Sequence, residues 1–153
     1  GHDAWDEAVG NQLGENLGIE YTLQGDLDFA EYLPLLDEKG VTGPFRLGWS
    51  MDYPSPQNYL EPLYSTSALA PTGSNTSFYS NPEFDALIDE GNQAGSNEEA
   101  IELYNQAEDL LLEDMPVLPM FFQVEQSVHS ELVSNVVVDI FGRVDTASVT
   151  VNS

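Results

Sequence analysis

Phe45-Arg46-Leu47-Gly48-Trp49-Ser50-Met51-Asp52-Tyr53-Pro54-Ser55-Pro56 joins an alternating apolar run to a pair of prolines. Phe45, Leu47 and Trp49 alternate with Arg46 and Gly48, the two-residue period of a strand with one buried face. Pro54 and Pro56 cannot donate to a ladder, so the strand stops near Asp52. A strand ending there presents an indole and a carboxylate at the rim of a sheet, where open α/β folds place their ligand crevices. An aromatic face beside a carboxylate drawn out of water suits a ligand carrying an ammonium group. Trp49 and Asp52 are therefore the candidate ligand-binding residues. A core Trp49 beside a turn-forming Asp52 accounts for the same pattern without a ligand.

Upstream, Trp5, Val9, Leu13 and Leu17 recur every four residues and lead to Gly18, the pattern of an amphipathic helix closed by a glycine cap. Gly10 and Gly14 weaken it. Ile19 to Leu23 alternates as a strand, and Asp28 with Glu31 forms a capping box opening a short helix that Pro34 is expected to kink or restart. With the strand ending at Trp49, the first fifty residues read α-β-α-β, an order that usually builds a parallel sheet with helices packed on it. Downstream, Ser65 to Ser80 is rich in Ser, Thr, Gly and Pro and reads as a long surface loop. It contains Asn75-Thr76-Ser77, an N-glycosylation pattern too common to carry weight. Asn81-Pro82 caps a helix with Phe84, Leu87 and Ile88 at helical spacing, and Ser96 with Glu99 opens a longer one that Pro116 blocks. In that longer helix Ile101, Tyr104 and Leu111 lie on one face and Leu103, Ala107 and Leu110 on the adjoining one, as core positions. Val117 to Val124, Val136 to Ile140 and Val149 to Val151 read as further strands.

Three blocks in succession carry a resemblance: Trp49-x-x-Asp52-Tyr53-x-x-Pro56, Asn81-Pro82-Glu83-Phe84-Asp85-x-Leu87-Ile88, and a leucine-rich helix ending in Asp114-x-Pro116-x-x-Pro119. In content and order they resemble the carboxyl-terminal third of the extracellular solute-binding proteins of family 5, the oligopeptide- and dipeptide-binding receptors of ABC importers. The resemblance runs from about Trp5 to Phe141. It implies an α/β fold, part of the carboxyl-terminal lobe of a two-lobed periplasmic-binding-protein-like (class II) receptor, with hinged closure over the ligand. It further implies that residues 3–153 are a single α/β domain cut from a larger protein, and Gly1-His2 then reads as a tag remnant. The family's W-x-x-D falls on Trp49 and Asp52, the carboxylate pairing with a peptide's terminal ammonium and the indole walling the side-chain pocket. The implied partners are a small peptide or other small solute and, through the full-length receptor, an ABC permease. The implied location is extracellular or periplasmic, with the full-length protein anchored at the cell surface. Family members also take nickel complexes, heme or sugars, and the motif here continues as Tyr-Pro-Ser-Pro-Gln-Asn, so the solute class stays open.

Composition excludes several other classes. Three Lys and Arg stand against 27 Asp and Glu, a net charge of −24. Phosphate backbones and anionic membrane surfaces are repelled by such a chain, so no nucleic-acid partner is expected. No apolar run approaches the about 18 residues of a membrane span, so direct membrane insertion is not expected, and no signal peptide is legible. Without Cys there are no disulfides, thiolate metal sites or cysteine nucleophiles. Two histidines, His2 and His129, cannot make a multi-His metal site, and no stretch has the spacing of an EF-hand, a P-loop, a dinucleotide fingerprint or a nucleophile elbow. Neither a metal nor a cofactor is therefore expected. A carboxylate-based glycoside hydrolase is the alternative, since it needs two carboxyl groups about 5 to 9.5 Å apart across a cleft. The aromatic-plus-single-carboxylate rim favours a binding module over an enzyme.

So large a charge imbalance implies self-repulsion that salt screens, the Debye length falling to about 10 Å at 0.1 M. The melting temperature is expected to rise from low to moderate sodium chloride. A flat or falling midpoint across the series contradicts this.

Overall fold

The computed structural model of the chain describes residues 3–25, 27–122, 124 and 126–152. Gly1 and His2, read above as a tag remnant, lie outside the described residues. The chain forms two compact units, Gly1–Thr42 and Gly43–Ser153.

The first unit holds α1 (Asp3–Leu17) and α2 (Phe29–Asp37). As its spacing predicts, α1 closes at Gly18, whose φ of 67 is left-handed and whose N–H bonds the Gly14 carbonyl at 3.0 Å. Gly10, a weakness by propensity, has a use: a β-carbon there would overlap the ring of Tyr21, whose hydroxyl donates to Asn11 Oδ1 at 2.9 Å. The capping box forms in both directions, Glu31 N–H to Asp28 Oδ1 at 2.9 Å and Asp28 N–H to Glu31 Oε2 at 3.3 Å. Pro34, expected to kink or restart α2, does not restart it and lies inside one nine-residue helix. Its missing N–H removes a single helical bond, and the helix ends within a turn of it.

The second unit is built on three helices: α3 (Gln57–Tyr64), α4 (Pro82–Gln93) and α5 (Asn97–Asp114), with a 3₁₀ turn at Thr66–Ala68. The expected caps start the last two. Asn81 accepts from the N–H groups of Glu83 and Phe84, and Ser96 accepts from Glu99 N–H at 3.2 Å. Glu99 reaches back to Gly95 N–H at 3.0 Å rather than to Ser96, so the second box is displaced by one residue. Acidic residues in both first turns, Glu83 and Asp85, then Glu98 and Glu99, suit the positive helix ends. Apolar spacing then packs α4 on α5: Phe84, Ile88, Tyr104, Ala107 and Leu111 are buried together with Leu60 of α3. Phe84 is fully enclosed, with the Tyr79 ring edge-on at 5.7 Å. Ile101, assigned to the core by spacing, is exposed.

The loop from 65 to 80 is a loop as read, yet it is organised around a buried polar side chain. Asn75 is fully buried; its amide donates to the carbonyls of Ser65 at 3.0 Å and Tyr79 at 2.9 Å, and its oxygen accepts from Ser77 Oγ at 2.9 Å. The amide nitrogen that a glycan would occupy is thus fully engaged in the fold. The loop is tied to the helices by Thr66 N–H to Asp85 Oδ1 at 2.9 Å. A second tie ends on Asp114, whose Oδ2 accepts from Tyr79 Oη at 2.7 Å and Asn81 Nδ2 at 2.9 Å. A carboxylate at a helix C-terminus opposes the dipole, and these two donors, Tyr79 first, hold its carboxyl below the usual range. The Tyr79 phenol is pushed up to about 12, chiefly by burial and then by the Asp114 bond. The pair therefore supports the fold above the carboxyl range, and its contribution is lost as pH climbs from the free phenol's 10.0 towards 12.

Most of the strands read from sequence are not formed among the described residues. Ile19–Leu23, Phe45–Trp49 and Val117–Val124 carry no ladder, and the α-β-α-β reading keeps its helices without its parallel sheet. The ladder among the described residues is antiparallel, β1 (Val133–Ser134) with β2 (Thr150–Val151), beside isolated bridges between Val138 and Val144 and between Leu69 and Asn75. A strand needs a neighbour for its N–H and C=O groups and a surface for its apolar face. Phe122, at 98% exposed, and Val128, at 99%, have no such surface.

Asn75→Ala takes the donor from the half-buried Tyr79 carbonyl and leaves the Ser65 carbonyl with the Ala68 N–H at 3.1 Å alone, at about 1 to 3 kcal/mol for the group left unsatisfied. Urea denaturation is expected to show a loss of at least about 1 kcal/mol. A loss under about 0.5 kcal/mol, the range of an ordinary surface substitution, contradicts the hub role of Asn75.

Candidate functional site

The sequence places Trp49 and Asp52 at a strand end; the structure places them at the start of α3. Helix α3 has no counterpart in the sequence reading, because it is eight residues long with Pro62 inside it. Its first turn is where the 49–53 segment is held. Trp49 Nε1–H donates to the backbone carbonyl of Asn58 at 2.9 Å, and the Asp52 N–H donates to Asn58 Oδ1 at 2.7 Å. One buried asparagine thus anchors both candidate residues. Trp49 is half-buried and Asp52 is exposed, held by its backbone while its carboxylate takes no part in that anchor.

The turn between them and the helix is set locally. Ser55 N–H bonds the Tyr53 carbonyl at 2.9 Å, Ser55 Oγ accepts from Gln57 N–H at 3.3 Å, and Pro56 starts the helix with φ −53. Tyr53 Oη donates to Gln57 Oε1, a second grip by the same turn. On the other side the Arg46 guanidinium lies 5.9 Å from the centroid of the Phe121 ring, linking the segment before Trp49 to the extended stretch after α5. Two open surface depressions, of about 710 and 600 Å³, lie elsewhere, one along α1 and Ile19–Thr22 and one at the α4–α5 turn. His129 is exposed, with Nδ1 3.2 Å from the Ser130 carbonyl. No group of three or more His, Asp or Glu side chains among the described residues has a metal-holding arrangement.

Asn58, Gln57 and Glu61 escape the sequence reading. An asparagine in a first helical turn is ordinarily exposed, and nothing local in the sequence reports that this one is buried. The one available signal is Ser55-Pro56 as a helix start.

Comparison with known proteins then fixes the family. No family model matches the chain. The periplasmic oligopeptide-binding protein OppA of Salmonella typhimurium is 30% identical over 119 residues, 76% of this chain and 20% of OppA. The chain belongs to family 5 of the solute-binding proteins. Heme-binding protein A of Haemophilus influenzae is 32% identical over 115 residues, 75% of this chain and 20% of that protein. Among solved structures, HbpA2 from Haemophilus parasuis superposes with a TM-score of 0.69 over 97% of this chain and 28% of HbpA2, at 22% identity. The fold is therefore part of an α/β lobe of the periplasmic binding proteins. The chain spans about a fifth of the length of the curated relatives it matches. No helix among the described residues is long and apolar enough to cross a membrane.

Proposed function

We propose that the chain is part of the carboxyl-terminal lobe of a receptor that binds peptides outside the cytoplasmic membrane and hands them to an ABC permease. Residues 3–153 are one α/β portion of that receptor, which is held at the cell surface and acts by binding, not catalysis. Asp52 pairs with the peptide's terminal ammonium, and Trp49 forms the wall of the pocket beside it. The observation that carries this reading is the shared anchor on Asn58: it spends the backbone of Asp52 and the indole N–H of Trp49 on the protein, leaving a carboxylate and an aromatic face for a ligand. The relative named for oligopeptide binding supports a peptide as the solute. A second reading, a ligand without an ammonium, is favoured by the relative named for heme binding.

In the full-length receptor, Asp52→Asn keeps the side chain's shape and its backbone anchor and removes only the charge. A buried charge pair that loses one member costs about 2 to 5 kcal/mol. Free peptides are expected to lose affinity in that range, whereas peptides acetylated at the amino terminus bind the parent weakly and lose little more. Calorimetric titration of both peptides against both proteins forms a double-mutant cycle. Equal losses for the two peptides remove the ammonium anchor and favour the second reading.

A further inference from the structure

A series of hydrogen bonds runs from the neighbour of Asp52 into the helical core. Tyr53 Oη donates to Gln57 Oε1, and Gln57 Nε2 donates to Glu61 Oε2. Asn92 Nδ2 donates to the same Glu61 oxygen at 3.1 Å, and Tyr104 Oη donates to Asn92 Oδ1 at 2.9 Å. The series crosses α3, α4 and α5 and ends on a tyrosine that is buried in the core, its ring against Gly91.

Glu61 gives the series its direction. An ionised carboxylate only accepts, whereas each amide has one donor end and one acceptor end. Gln57 and Asn92 must therefore both turn their NH₂ groups to Glu61, which leaves both of their carbonyls facing outward to take the phenols of Tyr53 and Tyr104. With no acceptor at this centre, as with alanine, either amide is free to flip, and a flipped Gln57 offers Tyr53 a donor in place of an acceptor.

We propose that Glu61 is the positioning residue of the ligand rim: by orienting Gln57 and Asn92 it ties Tyr53, and with it Asp52, to the α3–α4–α5 core. Its bearing on peptide affinity rests on the proposed role of Asp52; its bearing on the rim's rigidity does not. Both amides end on one oxygen, Oε2, so the single carbonyl oxygen of a glutamine can serve both. Orientation and charge are thereby separable.

The test uses the full-length receptor with Glu61→Ala, Glu61→Gln and Tyr53→Phe, each confirmed as folded by its melting curve. The first readout is hydrogen exchange at the Asp52 amide without ligand. Exchange is expected to be about tenfold faster in Glu61→Ala and Tyr53→Phe, and close to the parent's in Glu61→Gln. The double variant Tyr53→Phe/Glu61→Ala is expected to match either single one, because both cut the same series. An unchanged rate in Glu61→Ala, or Glu61→Gln behaving as Glu61→Ala does, overturns the proposal, and Tyr53→Phe decides it if removal of Glu61 unfolds the protein. The second readout is affinity for free against acetylated peptide. Glu61→Ala is expected to narrow that ratio by about tenfold. Faster exchange with an unchanged ratio upholds Glu61 as the positioning residue and overturns only the ammonium role of Asp52.

Discussion

The close approach of α4 and α5 is the constraint on which the rest of the described second unit depends. Gly91 has no β-carbon, and the Tyr104 ring fills the space one would take. That contact sets the helices near enough for Phe84 and Ile88 to be enclosed by Ala107 and Leu111, with Leu60 closing the cluster from α3. Each large side chain fully buried there contributes about 1.5 to 3 kcal/mol. Those terms outweigh the few tenths to 1 kcal/mol of single surface charge effects, which is how a chain carrying −24 still condenses on this core. The same Tyr104 ring carries its hydroxyl to Asn92, so the apolar core and the polar series leading to Tyr53 share one residue.

The rim is therefore carried by helices. Asn58 and Gln57 of α3 hold Trp49, Asp52 and Tyr53, and α3 is itself seated on α4 and α5. The 45–49 and 117–122 segments belong to no sheet ladder among the described residues and are joined by the Arg46–Phe121 contact. In the proposed receptor, about five times longer, further strands would give these segments a ladder and Phe122 and Val128 a cover.

Legibility in the sequence follows the range of the interactions. Caps and helical spacing act within one or two turns, so Gly18, Asp28 with Glu31, Asn81 and Ser96 are readable from the residues alone, as is the core face of Phe84, Ile88, Tyr104 and Leu111. Pairing between strands acts over long separations, so alternation at Phe45–Trp49 announces a strand that no described neighbour completes. The succession of the three motif blocks is legible as a family, and the relatives agree with it. Trp49 and Asp52 are legible as an aromatic beside a carboxylate. Asn58 and Glu61 are not, because what distinguishes them is which groups converge on them in space.

Helices α3, α4 and α5 are the stable heart of the described part of residues 43–153, and the segments outside them are not. Native-state amide exchange on this chain tests it directly. The slowest amides are predicted in α4 and α5, around Ile88, Tyr104 and Leu111, with α3 next and residues 117–122 exchanging fastest. Slowest exchange in 45–49 or 117–122 would mean a sheet core and would contradict the account.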